Sequence, residues 1–419
     1  MIGEIIAIGD ELTSGRILNT TSNFAAGNLF DAGHEIIAMA TIGDDPEVIA
    51  GALLKALGRA DFVVVTGGLG ATSDDLTNET VAGVLGRTVI FYPEVYTKMQ
   101  SGGILSGEAG RGRGEKHPFE KLAWLPAGAK ELKPDAKMAG HMLIHDGTPI
   151  FFLPGVPHEM KELLLESVIP WLATWKEHKR KHVRHVLYKV FGLTETEINT
   201  KLQPLEDSDP LVHIGYYPVF PEVHLSLTAL GVDEEKVDAA FQRFDAEIVS
   251  TLGQYLFGRD EETMQDIVGR LLKERKMTMA TAESCTGGLI SHTITRVAGS
   301  SEYFLGGVVA YSNDMKAKLL GVKKKTLTAH GAVSAETARA MAEGARRVTG
   351  ADLAISVTGI AGPTGGSDEK PVGTVWFGLA DTSGVRDFHF HFPGVRWKVQ
   401  TITATTALDL IRRSLLDLL

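Results

Sequence analysis

Ala282-Glu283-Ser284-Cys285-Thr286-Gly287-Gly288-Leu289 puts a hydroxyl, a thiol and two glycines where an apolar strand gives way to a helix. Residues 277–282 read as a short buried strand, and Leu289, Ile290, Ile294 and Val297 follow at roughly helical spacing. A strand-to-helix turn of this kind is the building step of an α/β fold and a place where a nucleophile is displayed. Ser284 would sit over the free N–H groups of a helix start, which can stabilise negative charge on a reacting oxygen. Thr286, Gly287 and Gly288 would line the same turn as substrate contacts. The competing reading is an ordinary N-cap, for which Ser and Thr are preferred.

A second junction lies at residues 306–322, where Tyr311 ends a strand and Lys316 falls one turn into a helix that Ser312 or Asn313 would cap. A serine does not attack an amide unaided. A lysine whose pKa is lowered by partial burial can take its proton, with a tyrosine relaying or donating one. Taken singly, Lys316 reads equally as a solvated helix residue and Tyr311 as a half-buried strand end. Cys285 is the rival nucleophile and the only cysteine of the chain. Its nearest histidine, His292, is about 10 Å away along the same helix, too far for a thiolate–imidazole pair. Cys285 therefore reads as a small buried hydrophobe.

A third junction follows. Residues 353–357 read as a core strand, and Thr358-Gly359-Ile360-Ala361-Gly362-Pro363-Thr364-Gly365-Gly366 as the loop that leaves it. Its glycines supply the positive φ angles of an anion-binding nest, and Thr358 adds a hydroxyl donor. Arg396, at the start of the last helix, is a bidentate partner for phosphate or carboxylate. The plainer readings are a connector and a surface arginine.

These runs, with the Tyr311-to-Lys316 spacing and Pro371-Val372-Gly373-Thr374-Val375, resemble the C-terminal domain of the CinA family. The resemblance implies an amidohydrolase, nicotinamide-nucleotide amidase, which converts nicotinamide mononucleotide (NMN) and water to nicotinate mononucleotide and ammonia without a cofactor. It implies Ser284 as nucleophile and Lys316 with Tyr311 as its activating pair. Ser301, Thr358, Gly359 and Arg396 follow from it as substrate contacts.

The first third of the chain alternates apolar strands with helical patterns, as a parallel sheet does. Strands are expected at residues 3–8, 34–42 and 61–65. The third runs into Thr66-Gly67-Gly68-Leu69-Gly70-Ala71-Thr72-Ser73-Asp74-Asp75. Ligands of such sheets sit beyond the carboxyl ends of the strands, where this loop must lie. Glycine amides suit a phosphate, and adjacent Asp74 and Asp75 suit a hard cation bridging to it. An acidic first turn before Leu76 is the alternative. With Gly9-Asp10-Glu11 and the Pro154–Met160 run, the segment resembles the molybdopterin-binding-like domain of the same family. That resemblance implies metal-dependent hydrolysis of ADP-ribose, with Asp10, Glu11, Gly67, Gly68, Asp74 and Asp75 as site residues and Asp75 as a ligand of a divalent metal. Two departures bear on it: Gly70-Ala71-Thr72 replaces the usual Gly-Pro-Thr, and residues 134–141 do not carry the family's Gly-Thr-Ala-Pro-Gly.

Three domains are expected: a three-layer α/β domain over residues 1–170, a small α+β KH-like spacer or dimerisation domain over 171–258, and a three-layer α/β amidase domain over 259–419. The middle segment lacks the glycine-rich clamp of single-strand RNA binders. Its basic run at residues 176–184 reads as a solvated helix face rather than a nucleic-acid site. A net charge of -10 also argues against polyanion binding. No apolar run approaches a membrane span, no signal peptide is expected at Met1-Ile2-Gly3-Glu4, and a single cysteine suits a reducing cytoplasm. The expected partners are small nucleotides and, in a homodimer, a second copy of the chain. The alternative function is a nucleotide- or pterin-binding regulator without turnover.

Overall fold

A computed structural model describes residues 1–101, 118–134, 140–175, 181–206 and 208–419. It divides into two compact units, residues 1–184 with 229–240 and residues 185–228 with 241–419. Among the described residues, no helix is long and apolar enough to cross a membrane.

In the first unit the strands are β1 (Ile2–Ile8), β2 (Glu35–Ile42), β3 (Phe62–Thr66), β4 (Val89–Phe91), β5 (Trp124–Pro126), β6 (Lys130–Glu131), β7 (His141–His145) and β8 (Thr148–Leu153). Six of them form one sheet in the order β2-β1-β3-β8-β7-β6, and β4 pairs with β5. β1 runs parallel to β2 on one side and to β3 on the other, and β3 is parallel to β8. All five residues of β3 are buried, as expected of a strand covered on both faces. Alternate side chains feed two cores. Ile6, Ile8, Val63 and Val65 pack with Ile49 and Leu53 of the Pro46–Leu57 helix, whereas Ile5, Phe62 and Val64 pack with Leu29 and Met160 on the opposite face. The Pro46–Leu57 helix starts where Asp45 accepts the N–H groups of Glu47 and Val48 and Pro46 supplies a preset φ. The result is a three-layer domain whose strand order reverses at β1, so its crevice lies beyond the carboxyl ends of β1 and β3.

The middle segment contributes β9 (His182–Val190), β10 (Val212–Val219), β11 (Glu222–Gly231) and β12 (Leu256–Arg259), a sheet of order β10-β11-β9-β12. Tyr188, Leu225 and Leu227 from the sheet bury against Ile198 and Leu202 of the Glu195–Leu202 helix and against Phe244 and Ile248 of the Glu234–Leu252 helix. Thr194 and Glu197 close a capping box at the start of the first helix. The basic run is not the helix face expected from sequence. His182, Val183 and Arg184 open β9, because β-branched and aromatic residues continue through Tyr188; residues 176–180 lie outside the described residues.

The remainder of the second unit holds β13 (Met279–Glu283), β14 (Phe304–Val309), β15 (Leu353–Gly359), β16 (Thr374–Ala380) and β17 (Val385–His391), ordered β14-β13-β15-β16-β17. β14, β13 and β15 are parallel, β16 is antiparallel to β15, and β17 is antiparallel to β16. One face is covered by the Met264–Arg275 and Arg396–Leu415 helices, the other by the Ala335–Thr349 helix. Small residues set that second contact. Ala280 and Ala282 lie under Met341 and Ala345, and a Cβ on Gly378 would meet the Ala338 carbonyl at 2.4 Å. β13 has its successor on one side and β15 on the other, so the carboxyl end of β13 is again a switch point.

Candidate active site

Ser284 is the first residue after β13, held by its N–H to the Val357 carbonyl at 3.1 Å. The neighbouring parallel strand, β14, leads through Tyr311 into the Asn313–Leu320 helix, which Ser312 caps by accepting the Met315 N–H at 3.2 Å. That geometry swings Lys316 back under the sheet edge. Its side chain is 1% exposed, and Nζ lies 2.9 Å from Ser284 Oγ and 2.9 Å from the Ala310 carbonyl. A third contact, to the Tyr311 carbonyl, is 3.4 Å. Burial disfavours the ammonium form and lowers the Lys316 pKa. Among the described residues Lys316 has no carboxylate partner, and a lysine held toward its neutral form against a serine hydroxyl has the chemistry to accept that proton.

Cys285 is buried, and burial pushes its thiol up to about 12, so it stays protonated at neutral pH. Its carbonyl accepts from Gln400 Nε2 at 2.8 Å, which pins the turn to the last helix.

The helix-start amides expected to face the serine are already occupied. Glu283, 0% exposed, turns its carboxylate onto the start of the Leu289–Thr295 helix. Oε2 accepts the N–H groups of Gly288 and Ile290, both at 3.0 Å, and Oε1 accepts the Ser291 N–H at 2.8 Å and hydroxyl at 2.7 Å. Gly287 donates to the Ser284 carbonyl. Gly287 and Gly288 are glycines because the turn needs φ of 64° and 104°, and neither amide is available to a ligand. Among the described residues, the donors left without a protein acceptor are the N–H groups of Cys285 and Thr286. The Thr286 hydroxyl is likewise buried without a partner.

The remaining residues expected at this site divide. Tyr311 is 61% exposed, and its hydroxyl accepts from Arg396 at 2.9 Å instead of reaching Lys316, because the strand ends with this side chain pointing outward. Arg396 also donates to the Gly362 carbonyl at 2.9 Å, tying the glycine-rich loop to Tyr311. Thr358 and Gly359 belong to β15 rather than to the loop, since the pairing with β16 runs on to Gly359 and Val375. The Thr358 hydroxyl is buried and donates to the Ala332 carbonyl at 2.7 Å. Ser301 is exposed in the turn before β14. Phe304 and Val309 pair with Met279 and Glu283, so Ser301 sits at the opposite end of the sheet from Ser284, about 17 Å along the strand.

Comparison with known proteins agrees with this architecture. The profile of a probable molybdopterin binding domain matches residues 4–174, that of a damage-inducible protein CinA KH domain residues 185–258, and that of a CinA C-terminal domain residues 261–415. A CinA-like protein of Desulfotalea psychrophila is 49% identical over 414 residues, 99% of each chain. The chain belongs to the CinA family. A second CinA-like protein, from Geobacter metallireducens, is 42% identical over 416 residues and covers 99% of each chain. The crystal structure of a CinA superfamily protein from Klebsiella pneumoniae covers 37% of this chain and 99% of its own, with 32% identity and a TM-score of 0.36.

The molybdopterin-binding-like domain of this CinA-family chain carries a cavity of about 450 Å³ beyond β1 and β3, lined by Glu11, Asp44, Gly67, Gly68, Asp74 and Asp75 among others. A Cβ on Gly67 would meet the Ile8 carbonyl oxygen at 2.1 Å, and one on Gly68 the Thr77 hydroxyl at 2.1 Å, so no side chain fits at either position. The N–H groups of Gly68, Leu69 and Gly70 donate to no described residue, which leaves a row of donors facing the cavity. Asp10 stands behind the cavity, exchanging hydrogen bonds with Asp44 at 2.9 and 3.2 Å. Burial, with the like charges of Asp10, Glu11 and Asp74 adding to it, raises the Asp44 pKa. Asp75 closes its own loop, accepting from the Thr72 N–H at 2.9 Å. Among the described residues, no three His, Cys, Asp or Glu side chains converge as a metal centre requires. The donor set does not fit a preformed divalent-metal site, and Asp75 is a loop-closing residue in this geometry.

Glu283, Gln400 and Asp44 are the residues of these sites that sequence reading passed over. Glu283 carried a signal: an acid at the last position of a buried strand, with no basic residue near it in sequence, needs local N–H donors. Gln400 and Asp44 carried none, because their partners are 115 and 34 positions away.

Proposed function

We propose that the C-terminal domain is a serine–lysine amidohydrolase that deamidates NMN to nicotinate mononucleotide and ammonia. The observation that carries the reading is the buried, pKa-lowered Lys316 at 2.9 Å from Ser284 Oγ. Neutral Lys316 removes the hydroxyl proton as Oγ attacks the carboxamide carbon. The carbonyl π electrons move onto oxygen, and the oxyanion is held by the Cys285 and Thr286 N–H groups, which no protein acceptor occupies. The Lys316 ammonium returns its proton to the departing nitrogen, releasing ammonia and leaving an acyl-enzyme. Water then adds with Lys316 again as base and frees the carboxylate product. Arg396 engages Gly362 and Tyr311 through single hydrogens of its two terminal nitrogens, so donors remain for a 5'-phosphate. Binding energy from that remote group orients the amide. The glycine-loop cavity of the N-terminal domain supports a nucleotide phosphate as ligand, with ADP-ribose as the candidate; metal-dependent hydrolysis is not part of the proposal.

The test measures ammonia and nicotinate mononucleotide released from NMN by wild type, Ser284→Ala and Cys285→Ala. Turnover retained in Cys285→Ala and lost in Ser284→Ala supports the reading. No ammonia from wild type, with saturable NMN binding, replaces it with a nucleotide-binding regulator.

A further inference from the structure

Within the second unit, away from Ser284, a cavity of about 420 Å³ lies between the KH domain and the C-terminal domain. Its walls are aromatic: Phe191 and Tyr255 from the KH side, Phe390 and Phe392 from the end of β17 and the loop after it. The Phe390 and Phe392 rings are nearly parallel, 11° apart with centroids at 5.6 Å. The floor is the last helix, which presents Thr406, Asp409 and Arg413 on one face at spacings of three and four.

These three side chains are built into the protein yet carry unused hydrogen-bonding capacity. Thr406 is 5% exposed, and its hydroxyl has no partner among the described residues. Asp409 is 8% exposed; Oδ1 accepts from Arg412 at 2.9 and 2.6 Å, while Oδ2 accepts from none of the described residues. Arg413 donates through Nη2 to Gln254 at 2.9 Å, and its buried Nε has no partner. Buried polar groups are nearly always satisfied, and the partnerless Arg413 Nε, with the Thr406 hydroxyl and Asp409 Oδ2 beside it on the same cavity, marks a missing occupant.

The chemistry of that occupant is constrained. Asp409 rejects a phosphate or carboxylate, and Arg412 and Arg413 remove the advantage of a simple cation. Aromatic walls with a narrow polar floor fit a flat ring, and a volume of this size takes a heterocycle with a modest substituent. An acceptor carboxylate beside a hydroxyl and a guanidinium N–H reads a ring edge that carries a donor and an acceptor side by side. We propose that this cavity is a second ligand site, for an amino-substituted purine base or nucleoside whose amino edge meets Asp409 and Thr406 and whose ring lies against Phe390 and Phe392.

The full chain is titrated into 2-aminopurine, whose fluorescence responds to stacking, with unsubstituted purine as the comparison. Saturable binding is expected, and unsubstituted purine should bind roughly ten-fold more weakly, since it leaves the Asp409 acceptor unpaired. Thr406→Val keeps shape and removes the hydroxyl, and should weaken binding by roughly five-fold. Phe392→Ala removes one stacking wall and should weaken it by ten-fold or more, on the order of one lost base–aromatic stack. If Phe392→Ala does not fold, Thr406→Val alone carries the test, checked by an unfolding temperature equal to wild type. Equal affinity of Thr406→Val and wild type, or no saturable binding up to the solubility of the base, overturns the proposal.

Discussion

Replacing Glu283 by glutamine tests the account of the Ser284 turn. The carboxylate receives four hydrogen bonds, two at each oxygen, and its side chain touches no solvent. Glutamine keeps the shape but turns one of those oxygens into a donor. In the better orientation the amide oxygen takes the Oε2 position and keeps Gly288 and Ile290. The amide nitrogen then faces Ser291, whose hydroxyl can rotate to accept, while the Ser291 N–H is stranded. One buried unsatisfied N–H costs about 1–3 kcal/mol, and losing a negative charge at a helix N-terminus costs about 0.3–2 kcal/mol. The expected destabilisation is therefore roughly 2–4 kcal/mol. For a domain of this size that lowers the unfolding temperature by roughly 5–15 °C. Differential scanning calorimetry of the full chain reads it, with Trp376 and Trp397 fluorescence reporting the C-terminal transition and the N-terminal transition as internal control. An unchanged C-terminal transition would refute the four-bond arrangement and, with it, the argument that helix-start amides are unavailable to the reaction.

Three further outcomes follow from the ionisable groups. Burial holds the Lys316 pKa in the folded chain below its ordinary value of 10.5, so the unfolded chain binds more protons between the two. Through that window the stability of wild type should rise with pH relative to Lys316→Met, in which only the other titrating groups remain, as read by the difference between their urea midpoints at a series of pH values. The Cys285 thiol, pushed up to about 12, should resist iodoacetamide at pH 8 in the native chain and react within minutes in denaturant; fast native labelling would contradict its burial. His141, stacked on Phe152 at 4.6 Å, is held by burial at a pKa of about 3 against 6.5. Its proton is taken up preferentially by the unfolded chain, so the N-terminal domain should lose on the order of 4 kcal/mol as pH falls from 6.5 to 3. His141→Phe should flatten that slope.

Much of the architecture was legible because it is local. Periodicity put strands close to β1, β2, β3, β13 and β15, and Ser312 and the glycine runs announced their turns through side-chain chemistry that acts within four residues. The Ser284-to-Lys316 pairing was readable for a related reason: both residues follow adjacent parallel strands, and the switch at β13 brings such ends together. What failed were inferences about which donors stay free. Gly287 and Gly288 looked available until Glu283 occupied their helix, Thr358 looked like loop until β16 extended its strand, and Tyr311 looked like a proton relay until Arg396 claimed its hydroxyl. Ser301 was near the site in sequence and lies at the far end of the strand in space.

By itself, then, the sequence determined the three α/β and α+β modules, the family, and the meeting of Ser284 with Lys316, because these rest on short-range patterns and on strand order. Tertiary structure alone decided which amides, hydroxyls and carboxylates remain unsatisfied, and it assembled the aromatic cavity from residues between Phe191 and Arg413. The reason is physical: each donor or acceptor can be spent only once, and the partner that spends it here stands up to 159 positions away.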